Sequence, residues 1–420
     1  MIKKYILLGI LFFIFILSGE AQNVLTLDSC YALARQNYPL IKQLGLDRRL
    51  EQVSLDNIKK GYWPQVNLNA QAGWQSDVTT IPVNIPNIKI PIPPQDQYKA
   101  YLDINQLLWD GGQIKLQAQQ KSLETKIEAE KINTQLYSLR EKINQLFFGI
   151  LLVQEQLKIN ALSYAELLIA ENKINSAIKN GTMLRSNGDN IRAELLRVEQ
   201  QKIEQTGNRS GMLSTLSWLL GTELDTATVL VTPLLTMPYK TTSRPELAQF
   251  EAQIKAIQLR NKLIQIRNLP RINLFVQTGY GRPALNMFSN SFDPYFIGGL
   301  RISVPLTNWY NNKNDHELIQ LNTQSVDLQK EIFLYNLQLS QKQLFTDIDK
   351  YKQLIEKDIE IVALRQNTLT AAQSQLDHGV ITIGEFLQEM DKIELARQQK
   401  TLHEIQLIQT IYNQKYLTGN

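Results

Sequence analysis

Two stretches of the chain alternate apolar and polar residues with the period of a β-strand. One begins at Trp63-Pro64-Gln65-Val66-Asn67-Leu68, and the other begins at Leu269-Pro270-Arg271-Ile272-Asn273-Leu274. Because successive side chains of a strand point to opposite faces, each stretch has one apolar face and one face rich in polar residues. A second alternating run follows each stretch, so the pattern predicts two β-hairpins.

The apolar faces of these hairpins need a cover. Strands of about ten residues, apolar outside and polar inside, are what a transmembrane barrel requires. The residues predicted to face lipid are Val66, Leu68, Trp74, Leu102, Ile104, Ile272, Leu274, Leu300 and Ile302. A half-buried sheet in a soluble domain is the alternative interpretation, but the surrounding sequence is almost wholly helical and offers little else to cover these faces.

The number of strands has a consequence for assembly. The smallest transmembrane barrels have about eight strands, and unpaired strand edges are not tolerated in lipid. Four strands therefore cannot close a barrel within one chain. The sequence predicts an oligomer that shares one barrel.

The segments after the hairpins are helical over unusual lengths. No proline interrupts residues 112–180 or residues 311–377, and at about 1.5 Å per residue the first segment would reach roughly 100 Å. Apolar residues recur with the spacing of a coiled-coil seam. They are Leu136, Leu139, Ile143, Leu146, Ile150, Val153 and Leu157 in the first segment and Leu321, Leu328, Ile332, Tyr335 and Leu339 in the second. Helices of this length are expected to pack side by side into a rod, a bundle or a tube.

Glycines mark a tip at the far end of each long helix. The sequence Asn180-Gly181-Thr182 followed by Asn187-Gly188-Asp189 is expected to end the first helix and start its return, and His378-Gly379-Val380 followed by Ile383-Gly384-Glu385 is expected to do the same in the second. Glycine permits the left-handed backbone of a helix end. Asp189 and Glu385 are placed where an acidic residue suits the start of a helix.

The predicted fold is mainly α with a small β part and is internally duplicated. Residues 1–21 read as a signal peptide, with Lys3 and Lys4 before an apolar core and a small-residue cleavage site. Residues 22–220 form a first repeat of helix, hairpin, long helix, tip and helix. Residues 221–243 are a linker or peripheral region, and residues 244–420 are the second repeat.

Composition excludes several other kinds of function. The formal net charge is +4 with both signs interspersed, which is typical of solvated helical surfaces. Cys30 is the single cysteine, so no intramolecular disulfide is possible, and its place at the start of a helix favours a buried thiol. The spacing of the three histidines does not suit zinc, and no catalytic set is apparent. We therefore expect no enzyme activity, cofactor, metal or nucleic acid.

Several of these motifs resemble the TolC-like outer-membrane efflux protein family, also called outer membrane factors. They are the Trp63-Pro64 and Leu269-Pro270 strand starts, Leu107-Leu108-Trp109-Asp110-Gly111-Gly112, Ser243-Arg244-Pro245-Glu246-Leu247 and the two glycine-marked tips. Each motif is weak, but their order and spacing occur twice over nearly the whole chain beyond residue 21. The resemblance is therefore specific in its arrangement.

The resemblance implies a homotrimer in the cell outer membrane that extends into the periplasm. Three chains would form a twelve-stranded barrel, and their helices would continue as a periplasmic tunnel. The tips would meet an adaptor (membrane fusion protein) and an inner-membrane transporter through Gly181, Thr182, Gly188, Gly379, Val380 and Gly384. The tube would be closed at rest and open when the pump assembles.

Two details depart from the family pattern. The family's tip tyrosine and arginine, which help to hold the closed state, match Leu376 and Ile381 here, whereas Asp189 and Glu385 match acidic tip positions. We expect Glu385 and Asp189 to line the aperture as a ring of carboxylates; simple helix capping is the alternative. The proline-rich loop at residues 81–94 either narrows the outer mouth or is a stiff surface loop.

The predicted function is a passive exit duct of a tripartite efflux pump, opened at its periplasmic tips. Export of proteins in type I secretion, or of heavy metals, could use the same architecture. A periplasmic coiled-coil structural or adaptor protein is the alternative from another class, but it would not need two hairpins with apolar outer faces. The sequence does not identify the exported substrate.

Overall fold

A computed structural model describes residues 24–80, 82, 91–235 and 242–419. The predicted signal peptide at residues 1–21 lies outside the described residues, as do residues 236–241 of the linker and most of the loop at 81–94. Among the described residues, no helix combines the length and the apolar character needed to cross a membrane.

The helices and strands follow the predicted order. They are β1 (Val24–Leu25), α1 (Leu27–Asn37), α2 (Ile41–Lys59), β2 (Gln65–Trp74), β3 (Asp96–Trp109), α3 (Gln113–Lys179), α4 (Arg185–Leu220), β4 (Val229–Leu230), α5 (Pro245–Ile266), β5 (Arg271–Arg282), β6 (Asp293–Ser303), α6 (Asn312–Asp377) and α7 (Ile383–Thr418). The succession of helix, two strands, long helix and returning helix occurs from α2 to α4 and again from α5 to α7.

The chain divides into two compact units, and each unit draws on both halves of the sequence. Among the described residues, one unit comprises 24–42, 132–235, 242–245 and 332–419, and the other comprises 43–80, 82, 91–131 and 246–331. We call them the helical unit and the sheet unit. Their boundaries follow packing in space, whereas the predicted repeats at 22–220 and 244–420 follow the order of the chain.

The sheet unit contains a four-stranded antiparallel sheet with the order β2-β3-β5-β6. The two hairpins are joined by pairing of β3 with β5, in which Ile104 lies opposite Val276. Within the described part of the chain, β2 and β6 each have one neighbouring strand. Both outer edges of the sheet are therefore open as far as the described residues show.

The two long helices bury their predicted seams to different extents. In α3, which has 67 residues, Leu136, Ile143 and Ile150 are 6%, 1% and 0% exposed. In α6, which has 66 residues, the predicted stripe is exposed: Leu321, Leu328, Ile332, Tyr335 and Leu339 are between 52% and 67% exposed. The expected seam on α6 is therefore not buried within the chain, because α6 turns a different face, with Val326 and Leu337, towards its neighbours.

The start of the second repeat packs against the end of α7. The guanidinium group of Arg244 lies 4.8 Å from the centres of the Tyr137 and Tyr416 rings and donates a hydrogen bond to the Tyr416 carbonyl oxygen. The Ser243 amide donates to the Thr418 carbonyl oxygen at 2.8 Å. Ser243 and Arg244 therefore fix the start of the second repeat against the end of α7.

Cys30 is fully buried in α1, as its place in the sequence predicts. Burial raises the pKa of its thiol to about 12. The thiol is therefore protonated and unreactive at physiological pH.

Candidate functional site: the helical tips and the apolar sheet face

The two tips end their long helices in the same way. Gly181 and Gly379 have φ of 70° and 71°, the left-handed conformation that glycine adopts without steric cost. In each tip the next residue donates back to the last turn, from Thr182 to Ala177 at 2.9 Å and from Val380 to Gln375 at 2.8 Å. This is the Schellman arrangement, which satisfies carbonyl groups that the helix end leaves free.

The returning helices begin at equivalent positions. Leu184 is the N-cap of α4 and lies three residues after Gly181, and Thr382 is the N-cap of α7 and lies three residues after Gly379. Counting from these caps, Asn187 is the equivalent of Glu385. Asp189 lies one turn into α4, so the returning helix begins at Arg185, slightly before the expected start at Asn187-Gly188-Asp189.

Gly188 has a different role from the glycines at the helix ends. It lies inside α4, where a Cβ atom would come within 3.1 Å of Cδ1 of Ile178 on α3. A helix tolerates one interior glycine at a cost of about 1 kcal/mol. The residue therefore allows α3 and α4 to approach closely and does not end a helix.

Glu385 caps α7. Its carboxylate accepts from the Thr382 amide at 2.8 Å, and the Thr382 hydroxyl accepts from the Glu385 amide at 3.3 Å, which together form a capping box. Hydrogen bonds from the Thr382 backbone, and then from its side chain, lower the pKa of Glu385. The carboxylate is exposed and ionised at neutral pH.

The structure brings both tips together in one apolar cluster, which we call the tip cluster. Four helices contribute to it. Its buried members are Leu167, Ala170 and Ile174 of α3, Ile191, Leu195 and Val198 of α4, Leu369, Ala372 and Leu376 of α6, and Ile383, Phe386, Met390 and Ile393 of α7. Leu376 is 4% exposed and Ile381 packs against the cluster, so the two residues that match the family's tyrosine and arginine are part of an apolar contact.

Ion pairs join the helices around the tip cluster. Lys173 on α3 lies 2.9 Å from Asp377 on α6, and the hydrogen bond from Lys173 lowers the pKa of Asp377. Arg397 on α7 lies 3.3 Å from Glu166 on α3. Sequence reasoning did not find these pairs, because their partners are distant along the chain.

The register of the sheet places the predicted lipid-facing residues on one face. Across the strand pairs, Leu68 lies opposite Leu102, Val66 opposite Ile104, Ile272 opposite Ile302 and Leu274 opposite Leu300. Trp74 is an even number of residues from Val66 and Leu68 on the same strand, so its side chain points to the same face. Residues directly opposite each other point to the same side of a sheet. Leu68 is 78% exposed and Trp74 is 70% exposed, so within the chain this apolar face is open.

Exposed aromatic side chains lie at both ends of the strands. Trp63, Trp109, Trp309 and Tyr310 lie at or near the ends that connect to the helices. At the other end the ring of Tyr280 stacks on that of Phe292. The centres of the Phe292 and Tyr98 rings are 6.1 Å apart. Arg282, which forms an ion pair with Asp96, lies over the rings of Tyr98 and Phe292.

The opposite face of the sheet carries a polar network. Asp103 accepts hydrogen bonds from Asn105 at 2.7 Å and from Gln277 on the neighbouring strand at 3.1 Å. Phe275 also lies on this face, with the guanidinium group of Arg301 4.9 Å from its ring centre. The face is therefore more mixed than the alternating amides predicted.

Comparison with known proteins identifies the fold. Residues 241–419 match the family model described as outer membrane efflux protein. The resemblance to the efflux proteins is confirmed. The description of this family agrees with the predicted place in the outer membrane. No curated protein sequence matches the chain.

Solved outer-membrane proteins share the fold of this chain over nearly its whole length. VceC of Vibrio cholerae has a TM-score of 0.66 at 13% identity and covers 94% of this chain and 96% of its own. CmeC, an outer membrane channel of Campylobacter jejuni, has a TM-score of 0.65 at 13% identity, covering 94% and 85%. MtrE, an outer membrane channel of Neisseria gonorrhoeae solved in its open state, has a TM-score of 0.66 at 12% identity, covering 94% and 89%. The predicted fold class, mainly α with a small β part, is confirmed.

Proposed function

We propose that this protein is the outer-membrane duct of a tripartite efflux pump. Three copies would share one twelve-stranded barrel, and substrates would leave the periplasm through it without chemical change. The adaptor and the inner-membrane transporter would open the duct at its helical tips. The proposal needs neither a cofactor nor a catalytic residue.

The exposed apolar face of the sheet is the main observation in support of this proposal. Its strands contain 10, 14, 12 and 11 residues. Ten residues at about 3.4 Å each, tilted by about 40°, span roughly 25 Å, the height of the apolar band of an outer-membrane barrel. Aromatic residues at both strand ends fit the two membrane interfaces. A soluble protein rarely leaves such a surface uncovered.

Two further features support assembly from several copies. The outer edges of β2 and β6 are open in the described chain, and lipid does not tolerate open edges. The apolar stripe on α6 is exposed along several turns. A neighbouring copy would cover both.

The tips are the proposed contact with the adaptor and the transporter. Leu184 and Val380 are 73% and 71% exposed, so apolar side chains flank the turns that carry Gly181 and Gly379. Glu385 adds an ionised carboxylate at this end of the molecule, and Asp189 lies exposed one turn into α4. Three copies would bring a ring of such carboxylates to the aperture.

Membrane fractionation and conductance test the proposal together. The protein should stay with the outer membrane when peripheral proteins are washed away, and detergent should release it as a trimer by native mass spectrometry. The trimer should form pores in planar lipid bilayers, and divalent cations should block their conductance. Release without detergent, or a monomer that does not conduct, would contradict the duct and favour a periplasmic coiled-coil protein.

A further inference from the structure

A single guanidinium group joins the two returning helices near the tips. Nη2 of Arg197 on α4 lies 2.9 Å from Oδ1 of Asp391 and 3.7 Å from Oε2 of Glu394, both on α7. The same nitrogen atom is paired with Glu194 on its own helix. Three carboxylates therefore converge on one nitrogen atom, which carries two hydrogens.

Of the three carboxylates, Glu394 lies farthest from Nη2 of Arg197. Its side chain is 9% exposed, compared with 57% for that of Asp391. Its Oε1 accepts from Gln398 at 2.9 Å, whereas its Oε2 lies beyond hydrogen-bond distance of Arg197. If Glu194, Asp391 and Glu394 were all ionised, their three negative charges would exceed the single positive charge of Arg197 by two.

The charged groups on the other helices around Glu394 already have partners. From α3, the Ser163 hydroxyl contacts Glu394, and Glu166 pairs with Arg397. From α6, Arg365 lies 3.8 Å from Glu389, which also pairs with Lys392 at 2.6 Å. Arg365 and Lys392 are therefore both paired with Glu389, Arg397 is paired with Glu166, and Arg197 is the cation that faces Glu394.

The surroundings of Glu394 favour its protonated form. Burial raises the pKa of this carboxyl, and Asp391 and Glu194 add to the rise, whereas Arg197 and the hydrogen bond from Ser163 oppose it. Burial and Glu194 also raise the pKa of Asp391. A carboxyl whose pKa is higher with the helices together than with them apart stabilises their contact when protonated, and this stabilisation is lost as the pH rises through the raised pKa.

We propose that Glu394 is a proton-binding site that couples the contact between α4 and α7 to pH. Acidification tightens this contact, and a rise in pH loosens it. The effect has the opposite sign to that of the Lys173–Asp377 pair, which acid weakens because Asp377 must be ionised to hold Lys173. If the protein is the proposed duct, pH also sets how readily its tips separate, and this consequence rests on the proposed function. The pH dependence of the contact between α4 and α7 does not rest on it.

Amide hydrogen exchange of the assembled protein, followed by mass spectrometry, tests this site. After correction for the intrinsic exchange rate, peptides from residues 185–200 and 383–400 of the wild type should exchange more slowly at about pH 5 than at about pH 8. The expected change is about tenfold for each unit by which the pKa of Glu394 differs between the joined and separated helices. Protection that is constant, or that falls on acidification, would overturn the proposal.

Three variants assign the effect to its residue. Glu394→Gln should be protected at both pH values and lose the pH dependence, because its side chain is permanently neutral. Asp377→Asn, which removes the acidic partner of the Lys173–Asp377 pair, should keep the wild-type profile of these peptides. Asp391→Asn, at an exposed position that should tolerate the change, should move the profile to lower pH by removing one negative charge beside Glu394. A wild-type profile in both Glu394→Gln and Asp391→Asn would show that another group binds the proton.

Bilayer conductance of the same preparations separates this inference from the proposed function. Pores formed by a protein whose exchange does not depend on pH would contradict the proton site alone. A pH-dependent contact in a protein that forms no pores would support the proton site and contradict the duct.

Discussion

The carboxylate of Glu385 accepts hydrogen bonds from both the backbone amide and the hydroxyl of Thr382. The sequence placed this residue at the tip but left two roles open, a cap of α7 or a member of an aperture ring. The structure shows the cap. It does not exclude the ring, because the carboxylate is exposed and ionised.

Substitution by glutamine separates the two roles of Glu385. Glutamine can replace glutamate in a capping box but carries no charge, whereas alanine removes both the cap and the charge. If three carboxylates line the aperture, Glu385→Gln and Glu385→Ala should both reduce block by divalent cations in planar bilayers. Thr382→Ala, which weakens the cap and keeps the carboxylate, is the control and should retain the block. Unchanged conductance and block in Glu385→Gln would leave capping as its role.

A second prediction concerns the glycines of the same tip. Gly379→Ala should lower the free energy of unfolding by about 1 kcal/mol, because alanine is strained at positive φ, although nothing lies within 4 Å of the added Cβ atom. Gly384→Ala is the matched control: it lies in the first turn of α7, and the nearest atom to its added Cβ is 3.9 Å away. It should leave stability unchanged or raise it by about 0.5 kcal/mol. Denaturant unfolding followed by circular dichroism checks both, and equal effects would contradict the assigned backbone strain.

Strand alternation predicted the two faces of the sheet before any register was known. A strand has only two faces, so parity along the chain decides which residues share one. The sequence did not predict that β3 would pair with β5, or that Phe275 would lie on the mostly polar face. These features depend on the pairing of the two hairpins, which are far apart along the chain.

Arginine at two adjacent strand positions tests the proposed contact with lipid. Leu68→Arg should destabilise membrane-inserted protein by about 2–4 kcal/mol, the cost of arginine at the centre of an outer-membrane barrel. Asn69→Arg places the same side chain on the opposite face and should be tolerated. The fraction of folded, heat-modifiable trimer on gels measures the effect. If both variants fold equally well, Leu68 does not contact the bilayer interior.

The stripes on α3 and α6 look alike in sequence, but only the stripe on α3 is buried within the chain. Periodicity shows which residues lie on one side of a helix, but it does not show whether that side packs against the same chain or against another. The open edges of β2 and β6 raise the same question for the sheet. A partner outside the chain would cover both kinds of surface.

The α6 stripe should therefore control assembly of the whole protein. Leu328→Arg places a charge in the centre of the stripe and should shift the protein from trimer to monomer, because an apolar contact cannot bury an unpaired charge without a large cost. Gln338→Arg adds the same residue at an exposed position outside the stripe and should leave the trimer intact. Native mass spectrometry in detergent distinguishes them. A stable Leu328→Arg trimer would show that the stripe faces solvent or a different partner.

Local rules were sufficient to predict the elements of this protein, because strand alternation, helix periodicity and glycine at helix ends act over a few residues. They predicted the hairpins, the long helices, the tips and the duplicated order, and the family resemblance agreed with them. The relation between distant residues required the tertiary structure. Packing brought the two tips into one apolar cluster, made Asn187 the equivalent of Glu385, and gathered Glu194, Asp391 and Glu394 around Arg197. Such contacts depend on which helices become neighbours, and a pattern read along one helix carries no information about its neighbour.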